Sequence, residues 1–118
     1  EFPAFYSRTS GVPLPHRVET PAEAAAVVRA ARDLGHDGGL LLAVPVPEEA
    51  AMPRKDVDEA IESGLQQAHA AGVRGAAVTP FILGHLVDAT GGSTLDTNVA
   101  LAVNNAGVAA ELASALAG

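Results

Sequence analysis

The chain has 118 residues, of which 48% are hydrophobic and 3% aromatic, and its formal net charge is −7. Seven basic residues against fourteen acidic ones provide no electrostatic surface for nucleic acid or for an anionic membrane. The absence of cysteine excludes disulfides and thiolate metal sites and is typical of a cytoplasmic protein. No apolar run approaches the roughly 20 residues that span a bilayer, so we expect no membrane segment.

The first segment of the chain, residues 1–6, is apolar and does not begin with methionine. Natural termini are usually polar and frayed. We therefore expect the chain to start inside a longer protein, although processing of a precursor would leave the same kind of start.

A capping box marks the first predicted helix. In residues 20–23, Thr-Pro-Ala-Glu, the threonine caps the helix, proline takes the first helical position and glutamate follows three residues after the cap. Apolar residues recur at helical spacing from there to Leu34, and Gly35 ends the helix. Asp56 is the predicted cap of a second helix, which Gly72 closes.

Two more helices are predicted in the C-terminal half. Thr79 followed by Pro80 repeats the signature of a cap and a first-turn proline, and it opens a short helix. The Gly-Gly pair at 91–92 breaks this helix, and Ser93 or Thr94 begins a long apolar helix.

Two short apolar runs are the strand candidates. Residues 40–44 are continuously apolar between a Gly-Gly pair and a proline-rich stretch, as in a central strand that helices cover on both faces. Residues 73–78 are the second candidate. The order helix, strand, helix, strand, helix, helix predicts an α/β fold with too few strands to complete a sheet.

Few charged residues have the setting that covalent chemistry requires. Lys55, the only lysine, stands between Arg54 and Asp56 at a predicted helix start. This position favours a solvated surface side chain over the buried amine that Schiff-base formation needs. Glu48 and Glu49 are adjacent, so their side chains diverge and are not expected to flank one glycosidic bond.

Two further positions have both a structural and a functional interpretation. His85 and Asp88 are three residues apart on one helix face, which is more typical of a surface pair than of a metal site. Residues 91–94, Gly-Gly-Ser-Thr, lead into a helix N-terminus, where backbone N–H groups can hold an anion. The alternative is a helix-to-helix turn that uses glycine at positive φ.

Asparagines interrupt the last predicted helix at positions 98, 104 and 105. Asn98 and Asn105 are seven residues apart, so they face the same way. An amide both donates and accepts hydrogen bonds, which suits the edge of a nucleobase. Capping, or tying loops to the helix, is the structural alternative, and the pattern alone leaves both open.

Short motifs in a fixed order extend over nearly the whole chain. They are Phe2-Pro3-Ala4-Phe5, Gly38-Gly39-Leu40-Leu41-Leu42-Ala43, Pro45-Val46-Pro47-Glu48-Glu49 with Ala51-Met52, Gly72-Val73, Thr79-Pro80-Phe81, Thr90-Gly91-Gly92, Leu95, Asn98 and Asn104-Asn105-Ala106. In this order they resemble the C-terminal segment of the pseudouridine-5′-phosphate glycosidases, a family that includes indigoidine synthase A-like proteins.

The resemblance implies a fold, an activity and partners. Family members are α/β/α proteins that assemble as homotrimers, so residues 1–118 would be the C-terminal segment of a glycosidase domain, within an α/β/α sandwich with a central mixed sheet. Members reversibly cleave the C–C glycosidic bond of pseudouridine 5′-phosphate to uracil and ribose 5-phosphate. The resemblance also implies an opened ribose held as an imine on a lysine, a glutamate that moves protons, and manganese or a similar divalent ion near the phosphate.

The resemblance places the family's lysine, glutamate and metal-binding aspartate upstream of these residues, so no catalytic or metal-ligating residue is predicted here. Asn98 alone matches a family position at the substrate, where it would contact the uracil. Val44 and Ala76 stand where the family usually has asparagine and lysine. The alternative is therefore a diverged, non-catalytic assembly module or a small-ligand-binding α/β module, and an upstream lysine in a metal-binding segment would favour the enzyme.

Overall fold

The computed structural model describes all 118 residues, and its regular structure is helical. Two 3₁₀ turns, Glu48–Ala50 and Gly75–Ala77, precede the second and third helices. The four α-helices are α1 (Pro21–Asp33), α2 (Arg54–Ala70), α3 (Val78–Ala89) and α4 (Ser93–Ala117). The helices pack in two pairs, α2 against α3 and α1 against α4, and a tight turn joins α3 to α4.

No β-sheet is present, so the predicted α/β fold with a central mixed sheet is wrong for this chain. The one β-bridge joins Ala4 and Ser7 in the N-terminal loop. The first strand candidate, residues 40–44, makes no backbone–backbone hydrogen bond, because a ladder needs a second strand and the chain contains none. The second candidate, residues 73–78, contains a 3₁₀ turn and the first residue of α3 instead.

The start of α1 confirms the predicted capping box. Thr20 is the cap, and its side-chain oxygen accepts a hydrogen bond from the backbone N–H of Glu23 at 3.2 Å. The Glu23 carboxylate reaches back and accepts from the N–H of Glu19 at 2.7 Å, one residue before the cap. Pro21 takes the first helical position, where its missing N–H leaves nothing unsatisfied.

The predicted caps of α2 and α3 are wrong by three and two residues, because the observed caps are Pro53 and Ala77 rather than Asp56 and Thr79. Helix α2 begins at Arg54, two residues before Asp56, and has no side-chain cap. The preceding proline has φ −57°, which already suits helix entry. Helix α3 begins at Val78, one residue before Thr79, because the 3₁₀ turn Gly75–Ala77 leads directly into it.

Glycines end three of the helices where the sequence predicts. After α1, Gly35 has φ 75° and its N–H donates to the carbonyl of Arg32, while the N–H of His36 donates to that of Ala31. This pair of bonds satisfies the last carbonyls of the helix. The same pattern follows α2 at Gly72 and α3 at Gly91.

Side-chain contacts hold the N-terminal loop against the segment before α2. The N–H of Met52 donates to the carbonyl of Tyr6 at 2.8 Å, and the Ser7 hydroxyl donates to the carbonyl of Met52 at 2.9 Å. The Arg8 guanidinium donates to the carbonyl of Val46 at 2.6 Å. The loop therefore has a fixed position beside the α2–α3 pair.

The hydrophobic core is small and lies between α2, α3 and the N-terminal loop. Its buried members are Tyr6, Val57 and Leu86, and only 12 of the 118 residues are buried in the whole chain. The radius of gyration is 17.4 Å, whereas a compact domain of this length has about 13.5 Å. The chain is thus extended, and large apolar side chains such as Leu41, which is 85% exposed, lie on its surface.

Helix α4 is long and apolar enough to cross a membrane by length and composition. Polar residues, among them Asp96, Asn98 and Asn104, interrupt α4, so it contains no continuous apolar run of about 20 residues. Core helices of soluble proteins can have the same length and composition, so these two features do not identify a membrane segment. In the structure α4 packs against α1, where Arg29 donates hydrogen bonds to the carbonyls of Ala115 and Leu116.

Candidate functional site

A hollow of about 250 Å³ lies where the N-terminal loop meets α3 and α4. Four of its seven lining residues are hydrophobic. Mostly apolar walls with a few polar groups are typical of small-molecule sites. The loop contributes one residue and each helix three: Tyr6, then Leu83, Gly84 and Val87, then Thr94, Leu95 and Asn98.

Two threonines fix the angle between the helices that form the hollow. The Thr90 hydroxyl donates to the carbonyl of Leu86 at 2.7 Å and accepts from the N–H of Thr94 at 3.2 Å. The two threonine hydroxyls are 3.2 Å apart. Because the single proton of Thr90 goes to Leu86, Thr94 must be the donor of this pair. The Thr94 hydroxyl can therefore offer the hollow only its lone pairs.

The turn at residues 91–94 serves the structure rather than an anion. Gly91 and Gly92 have φ values of 59° and 91°, which favour glycine. The N–H of Ser93 donates to the carbonyl of Thr90 at 3.2 Å, and the N–H groups of the next three residues also have partners inside the chain. With its first four donors engaged, the start of α4 matches the turn interpretation.

The structure brings Asn98 to the hollow, one helical turn after Thr94. Its side chain is exposed, and its amide makes no hydrogen bond within the chain. Asn105 shares the helix face but lies about 10.5 Å further along the axis, outside the hollow. Neither amide ties a loop to the helix, so the structural alternative for Asn98 has no hydrogen bond to support it.

Tyr6 is the site residue that the sequence did not indicate. It is 6% exposed, packs in the core with Val57 and Leu86, and also lines the hollow. Its ring meets that of Phe5 edge to face, with centroids 4.7 Å apart. Its hydroxyl makes no hydrogen bond within the chain. Burial raises the pKa of Tyr6 above its usual 10.0, so the hydroxyl keeps its proton at neutral pH and can donate.

The other charged candidates lie outside the hollow. The Lys55 side chain is 84% exposed, and its Nζ lies 3.7 Å from a carboxylate oxygen of Glu59 one turn later. Lys55 is therefore at the surface, as predicted. Glu48 and Glu49 are exposed in the first 3₁₀ turn.

His85 packs between α2 and α3 and forms no pair with Asp88. A Cβ atom at Gly64 would lie only 3.0 Å from its Cδ2, so α2 and α3 approach closely at this point. The buried Nε2 of His85 has no hydrogen-bond partner. No group of three or more histidine, aspartate or glutamate side chains is placed to hold a metal ion, so these residues do not fit a manganese site by themselves.

The chain is similar to curated proteins over almost its whole length. It is 50% identical over 117 residues to the pseudouridine-5′-phosphate glycosidase of Methylobacterium nodulans, covering 99% of this chain and 35% of that protein. It is 49% identical over 114 residues to the protein of the same name from Deinococcus radiodurans, covering 97% of this chain and 36% of that protein. The chain thus spans about a third of the length of these relatives.

Two solved structures match the fold of the chain. The prealnumycin C-glycosynthase AlnA, in complex with ribulose 5-phosphate, has a TM-score of 0.86 at 32% identity, covering 96% of this chain and 37% of that one. An indigoidine synthase A-like protein from Thermotoga maritima has a TM-score of 0.79 at 36% identity with the same coverage. The model of the family described as "Indigoidine synthase A like protein" matches residues 1–115. The chain belongs to this indigoidine synthase A-like family.

Proposed function

We propose that this chain is the C-terminal third of an enzyme that reversibly cleaves the C–C glycosidic bond of pseudouridine 5′-phosphate, giving uracil and ribose 5-phosphate. Relatives about half identical over nearly the whole chain carry the name of that activity. AlnA is a C-glycosynthase whose structure holds a five-carbon sugar phosphate, which supports chemistry at a carbon–carbon bond to such a sugar. The activity belongs to the full-length protein, because the chain spans a third of its relatives.

The observation that carries this function is the unpartnered amide of Asn98 at the hollow. Uracil presents a carbonyl oxygen next to an N–H on one edge, and a carboxamide can donate to the first and accept from the second. The hollow, about 250 Å³, is smaller than the roughly 300–1000 Å³ of pockets for drug-sized ligands. It suits one pyrimidine ring rather than a whole nucleotide.

The covalent part of the reaction lies outside these residues. A C–C bond needs an electron sink, and the only lysine of the chain, Lys55, is exposed and next to Glu59. We assign the reacting lysine, the proton-moving carboxylate and the manganese ligands to the remaining two-thirds of the enzyme. The family resemblance supports the further proposals that the enzyme is a homotrimer and is cytoplasmic.

Replacing Asn98 by alanine in the full-length protein tests the role of this segment. We expect uracil release to fall by roughly 10²-fold or less, the range for a lost binding and orienting contact rather than lost covalent chemistry. Asn105→Ala is the matched control, because it removes the same group from the same helix face outside the hollow. Equal kinetics for the two variants would remove Asn98 from the site.

The alternative, a non-catalytic assembly or ligand-binding module, is favoured by the exposed apolar surface, which suits association. The unvaried full-length protein separates the two functions. Release of uracil from pseudouridine 5′-phosphate, with a sugar adduct trapped on a lysine by borohydride, establishes the enzyme. A protein that binds uracil but neither releases it from the nucleotide nor forms an adduct is the module.

A further inference from the structure

We infer that the Tyr6 hydroxyl is a second hydrogen-bond donor to the pyrimidine in the hollow, beside the amide of Asn98. This inference rests on the proposed function, since it takes uracil as the ligand. It assigns a binding role to a residue of the N-terminal loop, 92 positions away from Asn98 in the sequence.

Packing holds the Tyr6 ring in place at the hollow. The ring is held by Val57 and Leu86 in the core and by Phe5 at its edge. The backbone of the loop is fixed through Met52, so the side chain cannot swing away without breaking these contacts. The hydroxyl has no partner within the chain and is not among its buried unpaired groups, so it is accessible to solvent and to a ligand. The hollow that Tyr6 lines is where a ligand can supply the missing acceptor.

The polar groups of the hollow complement a pyrimidine dione. Asn98 can donate to one ring carbonyl and accept from the adjacent ring N–H, which leaves the second carbonyl oxygen in need of a donor. The Thr94 hydroxyl cannot supply it, because its proton is committed to Thr90. Tyr6 can, because a tyrosine hydroxyl carries its proton at neutral pH.

Equilibrium titration of the full-length protein with uracil, 2-thiouracil and 4-thiouracil tests this assignment. Sulfur accepts hydrogen bonds weakly, so the analogue altered at the oxygen that Tyr6 contacts should bind about 3- to 10-fold more weakly than uracil. Tyr6→Phe keeps the ring and removes only the hydroxyl. In this variant uracil should bind about 3- to 10-fold more weakly than to the unvaried protein. The thiouracil altered at the oxygen that Tyr6 contacts should then bind as tightly as uracil does, which is the result expected from a double-mutant cycle.

Val57→Ala is the control for a purely structural role of Tyr6. It removes packing from the same core cluster without touching the hollow, so it should lower thermal stability and keep the ratio of uracil to thiouracil affinity. The assignment would be overturned if the Tyr6→Phe variant bound all three bases with the affinities of the unvaried protein. It would also be overturned if the unvaried protein bound no uracil. If uracil binds with the expected dependence on Tyr6 but is not released from the nucleotide, the enzymatic function fails and the Tyr6 contact stands.

Discussion

Residues 1–118 expressed alone are expected not to unfold cooperatively, because their surface is too large for a stable monomer. The structure exposes 7868 Å². A compact monomer of the same mass, 11.8 kDa, exposes about 5900 Å². The excess of about 2000 Å² includes fourteen large hydrophobic side chains, such as Leu34, Leu41 and Val103.

The excess surface corresponds to more free energy than a domain of this size has in reserve. Apolar atoms contribute about 55–60% of protein surface, so roughly 1100 Å² of the excess is apolar. At about 25 cal/mol per Å², the absent burial represents about 28 kcal/mol of hydrophobic stabilisation. The net stability of typical domains is only about 5–15 kcal/mol. The chain therefore needs a covering partner, and under the proposed function that partner is the remainder of the domain.

Amide hydrogen exchange on the purified 118-residue chain measures this deficit residue by residue. We expect little slow exchange outside α1–α4 and a broad thermal profile without a sharp midpoint. The same residues in the full-length protein are the control, and there α4 and residues 40–44 should exchange slowly. Broad, cooperative protection of the isolated chain, with a sharp transition, would refute the surface argument.

Two further predictions follow from the glycines and the lysine. In the full-length protein, Gly92→Ala should lower the free energy of unfolding by about 1–2 kcal/mol, because φ at this position is 91°. Gly107→Ala inside α4 should raise it by up to about 1 kcal/mol, and neither added Cβ has a neighbour within 4 Å. Denaturant unfolding measures both changes, and equal effects would contradict the backbone explanation. The isolated chain, incubated with pseudouridine 5′-phosphate, manganese and borohydride, should show no sugar adduct by mass; an adduct on Lys55 would place the covalent chemistry in this segment.

Local signals predict the helix ends, whereas the sheet prediction fails for a non-local reason. Gly35, Gly72 and Gly91 end their helices through bonds to residues three to five positions earlier, so each signal lies within one short window. The apolar run at 40–44 indicates burial but says nothing about which chain covers it or pairs with it. In this chain nothing does, and the run makes no backbone–backbone hydrogen bond.

The two polar groups of the site, Asn98 and Tyr6, also differ in whether a local sequence signal indicates them. Asn98 is conspicuous from sequence because an amide is unusual in an apolar helix, and the family resemblance gives that position a role. Tyr6 stands in an apolar segment where an aromatic residue calls for no special explanation. Its place in the hollow depends on the loop binding Met52 and on α2 packing against α3. Contacts between distant segments decide it, and no local pattern encodes them.

The shape of the hollow explains why binding groups and covalent chemistry can lie in different parts of one enzyme. Leu83 and Leu95 line the hollow and yet remain largely exposed, so its apolar walls are incomplete on the side facing solvent. Small-molecule pockets usually bury 70–90% or more of their ligand, which an open hollow cannot do. Closing it with the remainder of the domain would exclude water and strengthen the hydrogen bonds of Tyr6 and Asn98.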